Sequence, residues 1–271
     1  MPNIRIAIRS GRMSSFGGMK LFYRQSGQGP PLVILHGLFG SSDNWYSLAK
    51  VFADRFTVFV VDQRNHGQSP HSDDFDYKLL TEDLRYFTLE HETQQVVILG
   101  HSMGGKVAMN FAVRHPEHVR KLIVVDIVPK RYPVHHDAIL EGLKAVPLNG
   151  ISSRAEADQI LSAFVPEPGV RQFLLKSLVR KDQGGFEWRI NIDAIERNIE
   201  AMGAGMLFPG TYDGSALFIK GGRSDYYEKG DEELIKTIFP RAEFSIMETG
   251  HWVQAEKPEE FSKLVLNYLA R

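Results

Sequence analysis

The stretch that most constrains this chain is Val96-Val97-Ile98-Leu99-Gly100-His101-Ser102-Met103-Gly104-Gly105-Lys106-Val107-Ala108. Apolar residues of strand type run into Gly-x-Ser-x-Gly, and apolar residues at helical spacing (Val107, Ala108, Phe111, Ala112) follow at once. That order predicts strand, sharp turn and helix, with Ser102 at the tip of a nucleophile elbow. Such a turn forces the serine into strained backbone geometry, so Gly100 and Gly104 must lack side chains for strand and helix to approach each other.

An elbow needs a sheet to stand on, and the rest of the chain supplies one. Strands are expected at residues 3–9, 19–24, 32–35, 56–61, 96–99, 122–125, 216–219 and 242–247. The inner ones are continuous apolar runs, as in parallel sheets buried on both faces. Helices are expected at 77–91, from the elbow to just before Pro116, at 231–238 and at 258–269. One more, introduced by the capping residues Ser41-Ser42-Asp43, carries Trp45, Leu48, Ala49 and Phe52 on one side.

From Lys130 to about Gly214 the rhythm changes. No strand-like apolar run occurs there; amphipathic helical segments at 138–144, 153–164, 170–179 and 192–202 are broken by Pro147, Pro166, Pro168, Gly184-Gly185 and Gly203. The pattern is α/β: a mostly parallel, eight-stranded sheet flanked by helices. Its core is expected from residues 1–129 and 214–271, with residues 130–213 inserted as a helical cap.

Composition excludes several function classes. A formal net charge of −1 with scattered Lys and Arg provides no basic field for nucleic acid and no polybasic anchor for a membrane. With no cysteine, thiolate catalysis, disulfides and Cys-based metal sites are ruled out. Near the N-terminus Ile4, Ile6 and Ile8 alternate with other residues, so there is no continuous apolar signal region, and no run is long enough to span a bilayer. A cytoplasmic location is the expectation.

A serine hydroxyl is a poor nucleophile without a base. Of the ten histidines, His251 in Thr249-Gly250-His251-Trp252 directly follows the last expected strand and so leaves the sheet at the same end as the elbow. His71, His91, His135 and His136 read as polar-loop or helix-surface residues, and His115 and His118 as a helix end near solvent. His135-His136-Asp137 has no further ligand at metal-binding spacing. The carboxylate that orients the base has two candidates in the chain: Asp126, ending the strand after the elbow helix, and Asp225, in Gly221-Gly222-Arg223-Ser224-Asp225. Both respect the order Ser, Asp, His. Oxyanion donors are expected from the backbone N–H of Met103 and of Leu38 in His36-Gly37-Leu38-Phe39. His36, Asp62, Arg64 and His66 read as loop-bracing residues, with substrate binding open for His66.

These residues together resemble the α/β-hydrolase superfamily over nearly the whole chain, and within it the YbfF-type esterases, the group of abhydrolase-domain proteins. The likeness rests on His36-Gly37-Leu38-Phe39-Gly40 with Asp43-Asn44-Trp45, Asp62-x-Arg64-Asn65-His66-Gly67-x-Ser69, the elbow, Val125-Asp126-Ile127-x-Pro129, Gln172-Phe173-Leu174-Leu175-Lys176 with Glu187-Trp188-Arg189, and Gly250-His251-Trp252-Val253-x-Ala255-Glu256-Lys257-Pro258. The resemblance implies that the acid is Asp126 rather than Asp225, with Ser224 lying close to the histidine. It also implies a serine carboxylic-ester hydrolase acting through an acyl-enzyme on small short-acyl esters or thioesters, acyl-CoA among them, with no metal or organic cofactor. Perhydrolysis or carbon–carbon bond hydrolysis by the same triad, and a non-catalytic ligand-binding protein on this fold, are the competing readings.

Overall fold

The computed structural model describes residues 5–6, 18–91, 93, 95–133 and 136–271. In chain order the first half comprises β1 (Arg5–Ile6), β2 (Tyr23–Ser26), β3 (Pro31–Leu35), α1 (Tyr46–Phe52), β4 (Thr57–Val61), α2 (Tyr77–Glu90), β5 (Val96–His101), α3 (Met103–Arg114) and β6 (Val119–Val125). Helices α4 (Asp137–Ala145), α5 (Arg154–Leu161) and α6 (Pro168–Leu175) follow, then the pair β7 (Leu178–Arg180) and β8 (Phe186–Trp188), then α7 (Ile192–Arg197) and α8 (Ile199–Met202). The chain closes with β9 (Ala216–Gly221), α9 (Asp231–Ile238), β10 (Ala242–Met247), α10 (Val253–Glu256) and α11 (Pro258–Leu269).

Eight strands form one sheet in the order β1-β2-β4-β3-β5-β6-β9-β10. Pairs from β4 through β10 are parallel, and β1 and β2 are antiparallel. The expected α/β architecture is therefore observed. Because side chains alternate across a strand, Val33 and Leu35 join one buried cluster with Val107, Phe111 and Phe87, whereas Leu32 and Ile34 join another with Trp45, Phe52 and Phe261. Each face is covered by helices, which is why the inner strands carry continuous buried apolar runs such as Leu32–Leu35, Val58–Val61, Val96–Leu99 and Leu122–Val125.

The strand order also locates the site. From β3 the chain crosses to β4 on one side, then returns past β3 to β5 on the other. That reversal opens a crevice at the carboxyl ends of β3 and β5. Leu38 follows β3, Ser102 follows β5, Asp126 follows β6, Ser224 follows β9 and His251 follows β10, so parallel pairing delivers all of them to one sheet edge.

Two sequence expectations shift. The strand expected at 19–24 forms at Tyr23–Ser26, because the Met19 N–H is held by the Asp83 carboxylate at 2.7 Å and the Phe22 N–H by Ser69 Oγ at 2.8 Å. Of the strand expected at 3–9, Arg5 and Ile6 pair with β2 and the remainder lies outside the described residues. The helix expected at 170–179 ends at Leu175, and the chain turns into a short hairpin pairing Leu178 with Trp188 and Arg180 with Phe186. Here β-branched and aromatic residues on either side of Gly184-Gly185 outweigh the helical spacing. No helix among the described residues is long and apolar enough to cross a membrane.

Candidate active site

Ser102 has φ 52° and ψ −118°, a left-handed conformation that a non-glycine residue holds only when its surroundings impose it. They do so here. Its N–H donates to the Val125 carbonyl at 3.0 Å, and its carbonyl accepts from the Lys106 N–H at 3.1 Å, locking the turn to β6 and to α3. A Cβ on Gly100 would lie 2.2 Å from the Gly104 carbonyl oxygen, and one on Gly104 would lie 2.5 Å from that of Leu35. Both glycines are thus required by close approach. As the first residue of α3, Met103 has an N–H with no partner within the helix.

Opposite the elbow, the loop after β3 is held by histidines. His36 Nδ1–H donates to the Gly37 carbonyl at 2.8 Å while its Nε2 accepts from the Gln63 N–H at 3.0 Å. His66 Nδ1–H donates to the Arg64 carbonyl at 2.8 Å, and its Nε2 accepts from the Phe39 N–H at 3.2 Å. Each ring is a neutral tautomer used at both nitrogens, and burial pushes His36 down and His66 to about 3. Asp62 takes the N–H groups of Ser42 at 2.6 Å and Gln68 at 2.9 Å, and Arg64 grips the buried Asp83 through two bonds of 2.6 and 2.7 Å. These residues brace the loops that present Leu38.

Asp126 is fully buried at φ 50°, the same left-handed region as Ser102. Its Oδ1 accepts the Gly221 N–H at 2.8 Å, and its Oδ2 accepts both His251 Nδ1–H at 2.7 Å and the Ser224 hydroxyl. Asp225 is exposed and, among the described residues, has no hydrogen-bond or ion-pair partner. The structure brings His251 to Asp126 and leaves Asp225 on a cavity rim.

The His251 ring is fixed on its faces too. Tyr226 stacks on it at 4.1 Å between ring centroids with an interplanar angle of 17°, and His101 lies 4.7 Å away on a tilt. His101 Nε2–H donates to the His251 carbonyl at 2.9 Å; burial pushes His101 well below the usual histidine range, so it remains neutral. Sequence reasoning did not find Tyr226, since a loop aromatic has no periodicity to mark it. It also placed His136 among surface histidines, whereas His136 lines both cavities beside Ser102. His135 lies outside the described residues, and among those described no His, Cys, Asp and Glu side chains converge as a metal ligand set.

Two cavities, of about 290 and about 230 Å³, meet at Ser102. Lys106, one helical turn past Ser102 and 2% exposed, lines the larger. Its ammonium donates to the carbonyls of Lys130 (2.9 Å) and Ala204, where the 130–213 segment joins α3 from both ends, and faces the Tyr132 ring at 4.8 Å. Burial pushes Lys106 down to about 7. A lysine whose folded value is depressed binds its proton less well in the native state, so native stability rises with pH above about 7. Relative to Lys106→Met, the wild type is expected to gain about 2 kcal/mol of unfolding free energy between pH 7 and 9. Denaturant melts of both proteins at three pH values measure this; a constant difference refutes it.

Residues 30–159 match the family model described as the alpha/beta hydrolase fold. The chain is 40% identical over 253 residues to an sn-1-specific diacylglycerol lipase ABHD11 of Mus musculus, covering 89% of this chain and 81% of that protein. The chain belongs to the α/β-hydrolase family. Within it, the esterase YbfF of Escherichia coli K12 is 34% identical over 241 residues, covering 88% of this chain and 92% of that one. A solved structure titled "Marine microorganism esterase" superposes with a TM-score of 0.89 at 43% identity, over 92% of this chain and 98% of its own. This α/β hydrolase is an enzyme of the carboxylesterase class, as the resemblance to the YbfF-type group implied.

Proposed function

We propose that this α/β hydrolase cleaves small carboxylic esters or thioesters through a triad of Ser102, His251 and Asp126. The observation that carries the reading is the 2.7 Å bond between His251 Nδ1 and the buried Asp126 carboxylate, on the sheet edge where Ser102 sits in its elbow. With Nδ1–H donated to Asp126, the Nε2 lone pair of His251 is the one left to take a proton. His251 removes the Ser102 hydroxyl proton as Oγ attacks the carbonyl carbon, and the N–H groups of Met103 and Leu38 receive the oxyanion. The proton then passes to the leaving group, and water repeats the sequence on the acyl-enzyme. No metal or organic cofactor has a step to perform in this scheme. Residues 130–213 act as the cap that closes the substrate cavities over the sheet edge.

The volumes of the cavities favour short acyl groups. Hydrolysis of p-nitrophenyl esters from acetate to dodecanoate, with the matching CoA thioesters, tests the reading. A burst of nitrophenol followed by slower turnover is expected, with kcat/KM falling at least about tenfold from its short-chain optimum to dodecanoate. Absence of turnover, or a flat response to acyl length, overturns it.

A further inference from the structure

Tyr77, Tyr132 and Tyr226 all border the larger cavity beside Ser102. Tyr77 Oη donates to the Met202 carbonyl at 2.9 Å. Tyr132 Oη donates to the Tyr226 carbonyl at 2.6 Å and accepts the Val128 N–H at 3.1 Å. The Lys106 ammonium, also in this wall, donates to the backbone carbonyls of Lys130 and Ala204. Tyr226 differs from all of these: among the described residues its hydroxyl has no hydrogen-bond partner, although the residue is half-buried.

The rest of Tyr226 is fixed. Its N–H donates to Ser224 Oγ at 3.3 Å, its carbonyl takes the Tyr132 hydroxyl, and its ring lies on the His251 imidazole at 4.1 Å and 17°. Ser224 in turn donates to the Asp126 carboxylate, so the groups that set the proposed triad also set this phenol. Burial, to which the Asp126 charge adds, raises Tyr226 above the usual tyrosine value, and it stays a protonated donor. The Tyr226 phenol is also near enough to Tyr77 to add to the rise that burial causes there. We infer that the Tyr226 hydroxyl is a specificity-determining donor, and that the substrates are uncharged esters carrying a second oxygen acceptor, such as an ether or ketone oxygen, a few atoms from the scissile carbonyl. The inference rests on the proposed triad and deepens it by naming a substrate class.

Wall chemistry selects that class. Around the phenol the cavity is lined by Leu38, Met103, Ile127 and Met202. A hydrocarbon group filling this space strips water from the Tyr226 O–H and returns no partner, whereas an oxygen acceptor restores the bond. A carboxylate is poorly served, since one neutral donor cannot satisfy it and the Lys106 ammonium is spent on backbone carbonyls. On the exposed rim stand the carboxylates of Asp225, which has no cation partner among the described residues, and of Glu228, which is held by Lys130 at 2.9 Å. They repel an incoming anion. A cationic group that passes them meets the Lys106 ammonium, and no buried carboxylate lines the cavity to pair with it.

Pairs of esters matched in shape test the inference: methoxyacetate against butyrate and levulinate against isohexanoate as nitrophenyl esters, and the butyrates of methoxyethanol and butanol. Each is measured on wild type and on Tyr226→Phe, which removes one oxygen and keeps a ring on His251. The intrinsic reactivity of an ester cancels in the ratio of the two proteins. In at least one pair the loss in kcat/KM is expected to be about tenfold larger for the oxygen-bearing ester than for its carbon twin. Losses equal within every pair overturn the inference, because a phenol that only supports His251, or that serves the reacting carbonyl, affects both members alike. So does a wild type that prefers nitrophenyl hemisuccinate or a trimethylammonium-tipped ester to all the neutral ones. Should Tyr226→Phe fail to fold, the wild-type preference within each pair, divided by the ratio of the hydroxide-catalysed rates, reads the same contact and fails at unity. Failure of the wild type to cleave any ester strikes the triad reading itself and is seen before the variant is made.

Discussion

Ser102→Ala is expected to lose about 10⁴-fold or more in kcat/KM while the protein melts within a few degrees of wild type. The size of the loss follows from removing the one protein atom that bonds to the acyl carbon in the proposed scheme. Retention of the fold follows from what holds the elbow. The turn is locked by the Ser102 N–H on the Val125 carbonyl and by the Ser102 carbonyl on the Lys106 N–H, and neither bond uses the hydroxyl. Alanine is no worse than serine at a φ of 52°, since the strain comes from having a Cβ at all. Ester hydrolysis and labelling by a serine-reactive phosphonate check the outcome together. Activity within tenfold of wild type would mean that another group is the nucleophile.

The second large effect separates the two candidate acids. Asp126→Asn is expected to cost about 10³- to 10⁴-fold in kcat, and Asp225→Asn less than about tenfold. Asparagine at 126 can still accept the Gly221 N–H, and it tolerates the left-handed φ of 50° as aspartate does, so the loop geometry survives. Its amide nitrogen, however, would face His251 Nδ1 donor to donor. The imidazole would then have to present Nδ1 as an acceptor and carry its proton on Nε2, where it cannot receive one from Ser102. Asp225 has no such partner to lose. Measuring kcat for both variants on one short-chain ester decides the matter; a dead Asp225→Asn beside an active Asp126→Asn would reverse the assignment.

Much of this was legible along the chain because local chemistry carried it. The elbow announces itself through two glycines whose absent side chains the turn requires, and those glycines do contact backbone within 2.2–2.5 Å of where a Cβ would stand. His251 could be chosen among ten histidines by its place after a strand. Less was legible where side chains from distant segments competed with local patterns. Asp83 and Ser69 capture the amides of Met19 and Phe22, which shortens the expected second strand from its front. Tyr226, His136 and Lys106 reach the site from a loop, from the start of a helix and from the elbow helix, and none carries a pattern that distinguishes it from a surface or core residue.

The order of β and α elements, together with a candidate serine, a candidate base and two candidate acids, was legible in the sequence alone, because strand period, helix period and turn chemistry are properties of neighbouring residues. Between Asp126 and Asp225 the spacing along the chain left both open and the resemblance favoured Asp126, and the tertiary structure is what pairs Asp126 with His251. Both lie beyond strand ends on the same sheet edge, and what separates them is burial. Asp126 is enclosed where the Gly221 amide, the Ser224 hydroxyl and the His251 ring converge on one carboxylate, whereas Asp225, one residue past that serine, is exposed on the rim of the larger cavity. Spacing in a chain does not encode which of two carboxylates loses its water, and packing does.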